Sequence, residues 1–84
     1  MSYEISLLRR AQKELADLPE DAYVRVRGAL QALADEPRPS GCKKLKGREG
    51  WHIRVGDYRV IYDIDDGAQT ILIVHIGHRR DVYR

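Results

Sequence analysis

The stretch Trp51-His52-Ile53-Arg54-Val55-Gly56-Asp57-Tyr58-Arg59-Val60-Ile61-Tyr62 contains two runs rich in β-branched and aromatic residues, interrupted by a Gly-Asp pair. This pattern predicts a β-hairpin, and glycine at the first loop position suits a type II′ turn, whose twist matches that of the strands it joins. A two-residue turn also sets the pairing. Val55 then faces Tyr58, Ile53 faces Val60 and Trp51 faces Tyr62, which gives one apolar and aromatic face. The opposite face carries His52, Arg54, Arg59, Ile61 and Asp63, with Arg54 directly across from Arg59. Like charges in that relation destabilise a sheet, so the pair points to an anion that the two guanidiniums hold.

Working outward, Thr70 to Ile76 reads as a third strand. Its centre, Ile71-Leu72-Ile73-Val74, is apolar on both faces and belongs inside the sheet. A short N-terminal strand, Tyr3 to Leu7, is expected beside it. Leu8, Ala11, Leu15 and Leu18 recur at helical spacing and predict a helix with one buried face, closed by Pro19. A second helix follows, with Glu20 and Asp21 complementing its positive end and Tyr23, Val26, Ala29, Leu30 and Leu33 forming its apolar stripe. Pro37 and Pro39 stop it. From Pro37 to Gly50 the chain reads as a basic loop with a turn around Leu45. The expected fold is α+β in a single domain spanning residues 1–84: an N-terminal strand and a helical hairpin packed on one face of a small antiparallel β-sheet. Two helices cover only one side of such a sheet, which leaves the face of His52, Arg54 and Arg59 for a ligand.

Composition narrows the function classes. A hydrophobic fraction of 43% and a charged fraction of 33% fit a globular protein rather than a disordered one. No apolar run approaches the roughly 18 residues of a membrane helix, and the first residues lack a secretory layout, so a cytoplasmic protein with no membrane partner is expected. One cysteine, Cys42, excludes an internal disulfide and a multi-cysteine metal site. His75 and His78 have no thiol or glutamate nearby to complete a ligand set, and Asp81 alone does not supply one; neither a metal nor another cofactor is expected.

The net charge of +2 conceals an asymmetry. Residues 1–36 carry five Lys/Arg and seven Asp/Glu, whereas residues 37–84 carry ten and six, so the two parts are −2 and +4. Lys43, Lys44, Lys46 and Arg48 fall in one stretch with no acid among them, and all three histidines lie after it. Clustered basic charge is the footprint of a polyanion ligand, with a solvated loop as the plainer alternative.

The succession Lys43-Lys44-Leu45-Lys46-Gly47, Trp51-His52-Ile53-Arg54, Gly56-Asp57-Tyr58-Arg59-Val60-Ile61-Tyr62 and Val74-His75-Ile76-Gly77-His78-Arg79-Arg80-Asp81-Val82-Tyr83 resembles the RelE/ParE toxin superfamily, in particular its RelE-like mRNA interferase branch. The resemblance covers nearly the whole chain. It implies a toxin of a type II toxin–antitoxin pair, a cognate antitoxin as partner, and metal-independent cleavage of mRNA in the ribosomal A site. It places family functional positions on His52, Arg54, Arg59, Arg79 and Tyr83, with Lys43, Lys44, Lys46 and His78 as RNA contacts. RelE-like members often have lysine where this chain has His52.

The chemistry can be weighed on its own terms. Attack of a ribose 2′-hydroxyl on the adjacent phosphate needs a base for that hydroxyl, cations around the phosphorane and an acid for the departing 5′-oxygen. Arginine suits the phosphate because its fork donates two parallel hydrogen bonds at any working pH. Arg59 and Arg79 are the expected phosphate ligands, with Arg54 supporting them or tuning a neighbour. His52 titrates near neutrality and is the candidate base. Tyr83 and His78 are the candidate acids, and Tyr83 could instead stack on a base.

Plainer readings apply elsewhere. His75 reads as a hydrogen-bonded strand residue, and Trp51, Tyr58 and Tyr62 as core. Arg80 and Arg84 add only to the field. Arg54 and Arg59 could pair with Asp57 or Asp63 as an ordinary surface network. The competing function is that of a ParE-like toxin which inhibits DNA gyrase without catalysis.

Overall fold

The computed structural model describes residues 2–47 and 49–78. Its elements are β1 (Glu4–Leu7), α1 (Arg9–Ala16), α2 (Glu20–Asp35), β2 (Lys43–Lys44), β3 (Trp51–Val55), β4 (Tyr58–Asp65) and β5 (Thr70–His78), and the five strands form one sheet in the order β1-β5-β4-β3-β2.

The hairpin has the predicted register, with Trp51, Ile53 and Val55 opposite Tyr62, Val60 and Tyr58, and Arg54 opposite Arg59. Gly56 has φ +60° and Asp57 stays at negative φ, the type II′ signature. Val26, Leu30 and Leu33 of α2 and Ala11 of α1 close over Ile53, Val60, Tyr62, Ile71, Ile73 and Ile76, which together make the core. Fully burying an aliphatic side chain of this size contributes about 1.5–3 kcal/mol relative to leaving it exposed. Tyr62 is wholly buried, and its hydroxyl donates to the Pro37 carbonyl at 2.8 Å, so the chain leaving α2 is tied to the middle of the sheet. Asp66 joins two further segments, accepting from Tyr3 Oη at 2.7 Å and from the Arg38 fork at 2.9 and 3.3 Å.

Three features depart from the sequence expectation. β1 joins β5 in parallel, Glu4 with Thr70 through Leu7 with Ile73, so the sheet is mixed and only β2 to β5 are antiparallel. Both helices and three strands lie between β1 and β5, and a connection that long allows parallel pairing. The basic loop contributes a strand: Lys43 pairs with His52 and Lys44 with Trp51, and the Leu45 N–H donates to the Gly50 carbonyl at 3.0 Å. Two residues are too few to show a periodicity, which is why the strand was not read from sequence. Finally, β5 runs on to His78 and its pairing with β4 shifts by one residue at Ile61/Tyr62: Tyr62 faces Ile73, whereas Ile61 faces His75. Val74 is therefore the extra residue of a β-bulge.

Candidate active site

Cross-strand partners share a face, so the register determines which side chains gather. On the side away from the helices, one row runs Lys43, His52, Ile61, His75 across β2, β3, β4 and β5. The next row is Arg54, Arg59, Gly77. Neighbouring strands stand about 4.8 Å apart, so Lys43, across from His52, and Arg59, diagonal to it, are near enough for their charges to act on its ring. This face is open at its rim rather than throughout, because Ile61 at the centre of the first row is only 3% exposed.

His52 is half-buried, and its imidazole is held below its ordinary value, first by burial and then by the Arg59 and Lys43 charges, all of which disfavour the imidazolium. The ring is thereby kept neutral and able to accept a proton at neutral pH. Arg59 is half-buried and donates from Nη1 to the Tyr58 carbonyl at 3.3 Å, which draws its guanidinium back along its own strand. Among the described residues neither Arg54 nor Arg59 forms an ion pair with Asp57 or Asp63. The network that would have made them ordinary surface charges is not formed.

The expected site residues do not all come together. Lys43 stands beside His52, but Lys44 pairs with Trp51 and so belongs to the opposite side. Lys46 is exposed in the turn after β2. His78 pairs with Tyr58, with the two rings edge to face at 5.7 Å, and the alternation puts it on the Tyr58 side rather than with Arg59. The bulge is the reason: it inverts the facing of every residue after Val74 relative to a straight strand. Arg79 and Tyr83 lie outside the described residues.

Two features near the site were not read from the sequence. The guanidinium of Arg25 on α2 reaches the hairpin turn, with Nη1 3.4 Å from where a Gly56 Cβ would stand. Helical spacing marks Arg25 as outside the core but not as a neighbour of that turn. At the far edge, Glu14 of α1 approaches β5: Oε1 accepts the Ile76 N–H at 3.0 Å, and Oε2 lies 2.7 Å from His75 Nδ1 and 3.2 Å from Arg10 Nε. The approach at His75 Nδ1 does not meet hydrogen-bond geometry and is a close polar contact. Burial pushes the Glu14 carboxyl up, but the Ile76 N–H, His75 and Arg10 together more than offset it and hold the group below its ordinary value.

Two helices on one five-stranded sheet, with cations along its other face, make an architecture that known proteins share. The model of the family described as the ParE toxin of type II toxin–antitoxin systems matches residues 5–83. The toxin RelE of Mycobacterium tuberculosis is 37% identical over 84 residues, covering 98% of this chain and 87% of that protein. Among solved structures, the archaeal RelE–RelB complex of Pyrococcus horikoshii superposes with a TM-score of 0.85 at 30% identity, covering 98% of this chain and all of the matched one. The isolated Escherichia coli RelE toxin, with a TM-score of 0.76 over 98% of this chain and 92% of its own, is 24% identical and shares the fold. The chain belongs to the RelE/ParE toxin family and is RelE-like.

Proposed function

We propose that this toxin is an endoribonuclease that cuts mRNA on the ribosome, in the A site, and thereby arrests translation in the cytoplasm. The observation that supports this reading most directly is the gathering of His52, Arg54, Arg59 and Lys43 on one sheet face, with His52 kept neutral. His52 takes the proton of a ribose 2′-hydroxyl, whose oxygen forms a bond to the adjacent phosphorus. Arg59, supported by Arg54 and with Arg79 as a further ligand, stabilises the negative charge that builds on the phosphorane. The bond from phosphorus to the 5′-oxygen then breaks and that oxygen takes a proton, for which Tyr83 is the candidate donor. The products are a 2′,3′-cyclic phosphate and a 5′-hydroxyl end. Lys43 guides the RNA strand from the same face, and Lys46, exposed in the turn after β2, adds to the attraction.

The partner is a cognate antitoxin, by analogy with the RelB chains in the solved complexes of Pyrococcus horikoshii and Mycobacterium tuberculosis. The match to a family described by ParE supports one competing reading, a toxin that inhibits DNA gyrase by binding. Mapping of 5′ ends on translating messages after induced expression separates the two. New ends at codons in the A site are expected. Growth arrest with no new ends and a collapse of DNA supercoiling would favour the gyrase reading.

A further inference from the structure

β1 ends at Leu7, opposite Ile73, and the Leu8 N–H makes the last backbone bond on that side, to the Ile73 carbonyl at 3.0 Å. β5 continues through His78, so among the described residues its outer edge beyond Ile73 has no strand partner. The Ile76 N–H on that edge is taken by Glu14 Oε1, from a helix, at 3.0 Å. The other oxygen of the same carboxylate lies 2.7 Å from Nδ1 of His75, a side chain only 13% exposed. Arg10 closes the group, with Nε 3.2 Å from Glu14 Oε2 and Nη2 3.4 Å from His75 Nε2. One side chain thus grips two consecutive residues immediately after the bulge.

That position matters because β5 has two possible registers against β4. If pairing continued unbroken from Tyr62 with Ile73, Ile61 would meet Val74, Val60 would meet His75 and Arg59 would meet Ile76. In the shifted register His75 meets Ile61, Ile76 enters the core beside Val60 and Gly77 stands beside Arg59. A slip of one residue inverts the facing of the whole distal half. It would also replace the glycine next to Arg59 by an isoleucine.

We propose that Glu14 is a positioning residue that pins the shifted register of distal β5, and through it the surroundings of Arg59. Ile76 supplies the apolar half of that preference by entering the core, and Glu14 supplies the polar half from outside the sheet. Arg10 holds the carboxylate in place. Because the effect on Arg59 bears on cleavage, this part rests on the endoribonuclease reading.

The experiment pairs Glu14→Ala with Glu14→Gln, whose amide oxygen still accepts the Ile76 N–H. Amide hydrogen exchange by NMR reads the clamp directly. Glu14→Ala is expected to lose protection at Ile76, and at Gly77, whose N–H faces β4 opposite Arg59, while Val60 and Ile71 stay protected, and Glu14→Gln is expected to retain protection at Ile76. Single-turnover cleavage of ribosome-bound message reads the consequence: a fall of about tenfold or more for Glu14→Ala with binding little changed, as expected when a catalytic group is displaced by a fraction of an ångström to an ångström, and a much smaller fall for Glu14→Gln. Wild-type protection at Ile76 and Gly77 in Glu14→Ala overturns the clamp. Lost protection with undiminished cleavage overturns the positioning role. Failure of the wild-type protein to cut any message refutes the endoribonuclease reading and leaves the exchange result to decide the clamp.

Discussion

Arg54 and Arg59 stand as direct cross-strand partners beside the Gly56-Asp57 turn, and neither is paired with Asp57 or Asp63 among the described residues. Each is like-charged to its neighbour, a relation that costs a few tenths of a kcal/mol to about 1 kcal/mol in a sheet. Arg54→Ala should therefore leave stability unchanged or raise it, while weakening RNA affinity. Thermal melting alongside RNA titration checks this. A variant that melts lower and binds RNA as well as wild type would assign Arg54 to the fold instead.

Arg59→Ala removes the better-anchored partner, whose Nη1 holds the Tyr58 carbonyl at 3.3 Å. The expected outcome is loss of cleavage by roughly 10²-fold or more with a folded protein, the scale seen when a preorganised donor to a developing charge is removed. Circular dichroism and single-turnover assays on the same preparation read both. Retained cleavage would move the phosphate site away from this row.

His52 gives a pH signature. Its folded-state pKa lies below the ordinary 6.5, through burial and then the Arg59 and Lys43 charges, so the neutral ring predominates at neutral pH. Cleavage should be flat through neutrality and fall on acidification, with a midpoint below 6.5. His52→Ala should abolish that limb and slow the reaction by roughly 10²-fold, the usual contribution of a positioned general base. An acid limb that survives the substitution would belong to another group.

The hairpin, its register and the facing arginines were legible because a two-residue turn leaves no freedom in which residues pair. The core was legible for the same reason, since Ile53, Val60 and Tyr62 follow from that register and Val26, Leu30 and Leu33 from helical spacing. Three things were not. β2 is only two residues long, the parallel direction of β1 beside β5 is set only by tertiary packing, and the bulge at Val74 sits in a run that is apolar on both faces. In such a run the pattern cannot report a change of facing, so the side taken by His78 was hidden. The contacts of Glu14 were hidden as well, because nothing local ties a charge on α1 to a strand 62 residues away.

Glu14 also carries a stability signature. Its folded-state pKa is below the ordinary 4.5, so the stabilisation it brings is complete above that value and is lost as pH falls through the folded one. Between neutrality and acid, wild type should lose more stability than Glu14→Gln, which cannot titrate there. Urea melts of the two proteins across that range measure the difference, and parallel curves would remove Glu14 from the account of acid sensitivity.

Lys43 and Lys44 offer the sharpest contrast, since they are adjacent in sequence and on opposite sides of the sheet. Lys43 faces His52 and contributes to holding its imidazole neutral, whereas Lys44 faces Trp51. Lys43→Ala should raise the His52 titration midpoint toward 6.5, shift the acid limb of cleavage the same way and weaken RNA binding. Lys44→Ala should leave the midpoint where it is. Following the His52 ring protons by NMR from acid to neutral pH in the three proteins reads this directly. Equal shifts from both substitutions would mean that the lysines act only through the overall field, and that the short β2 pairing does not select between them.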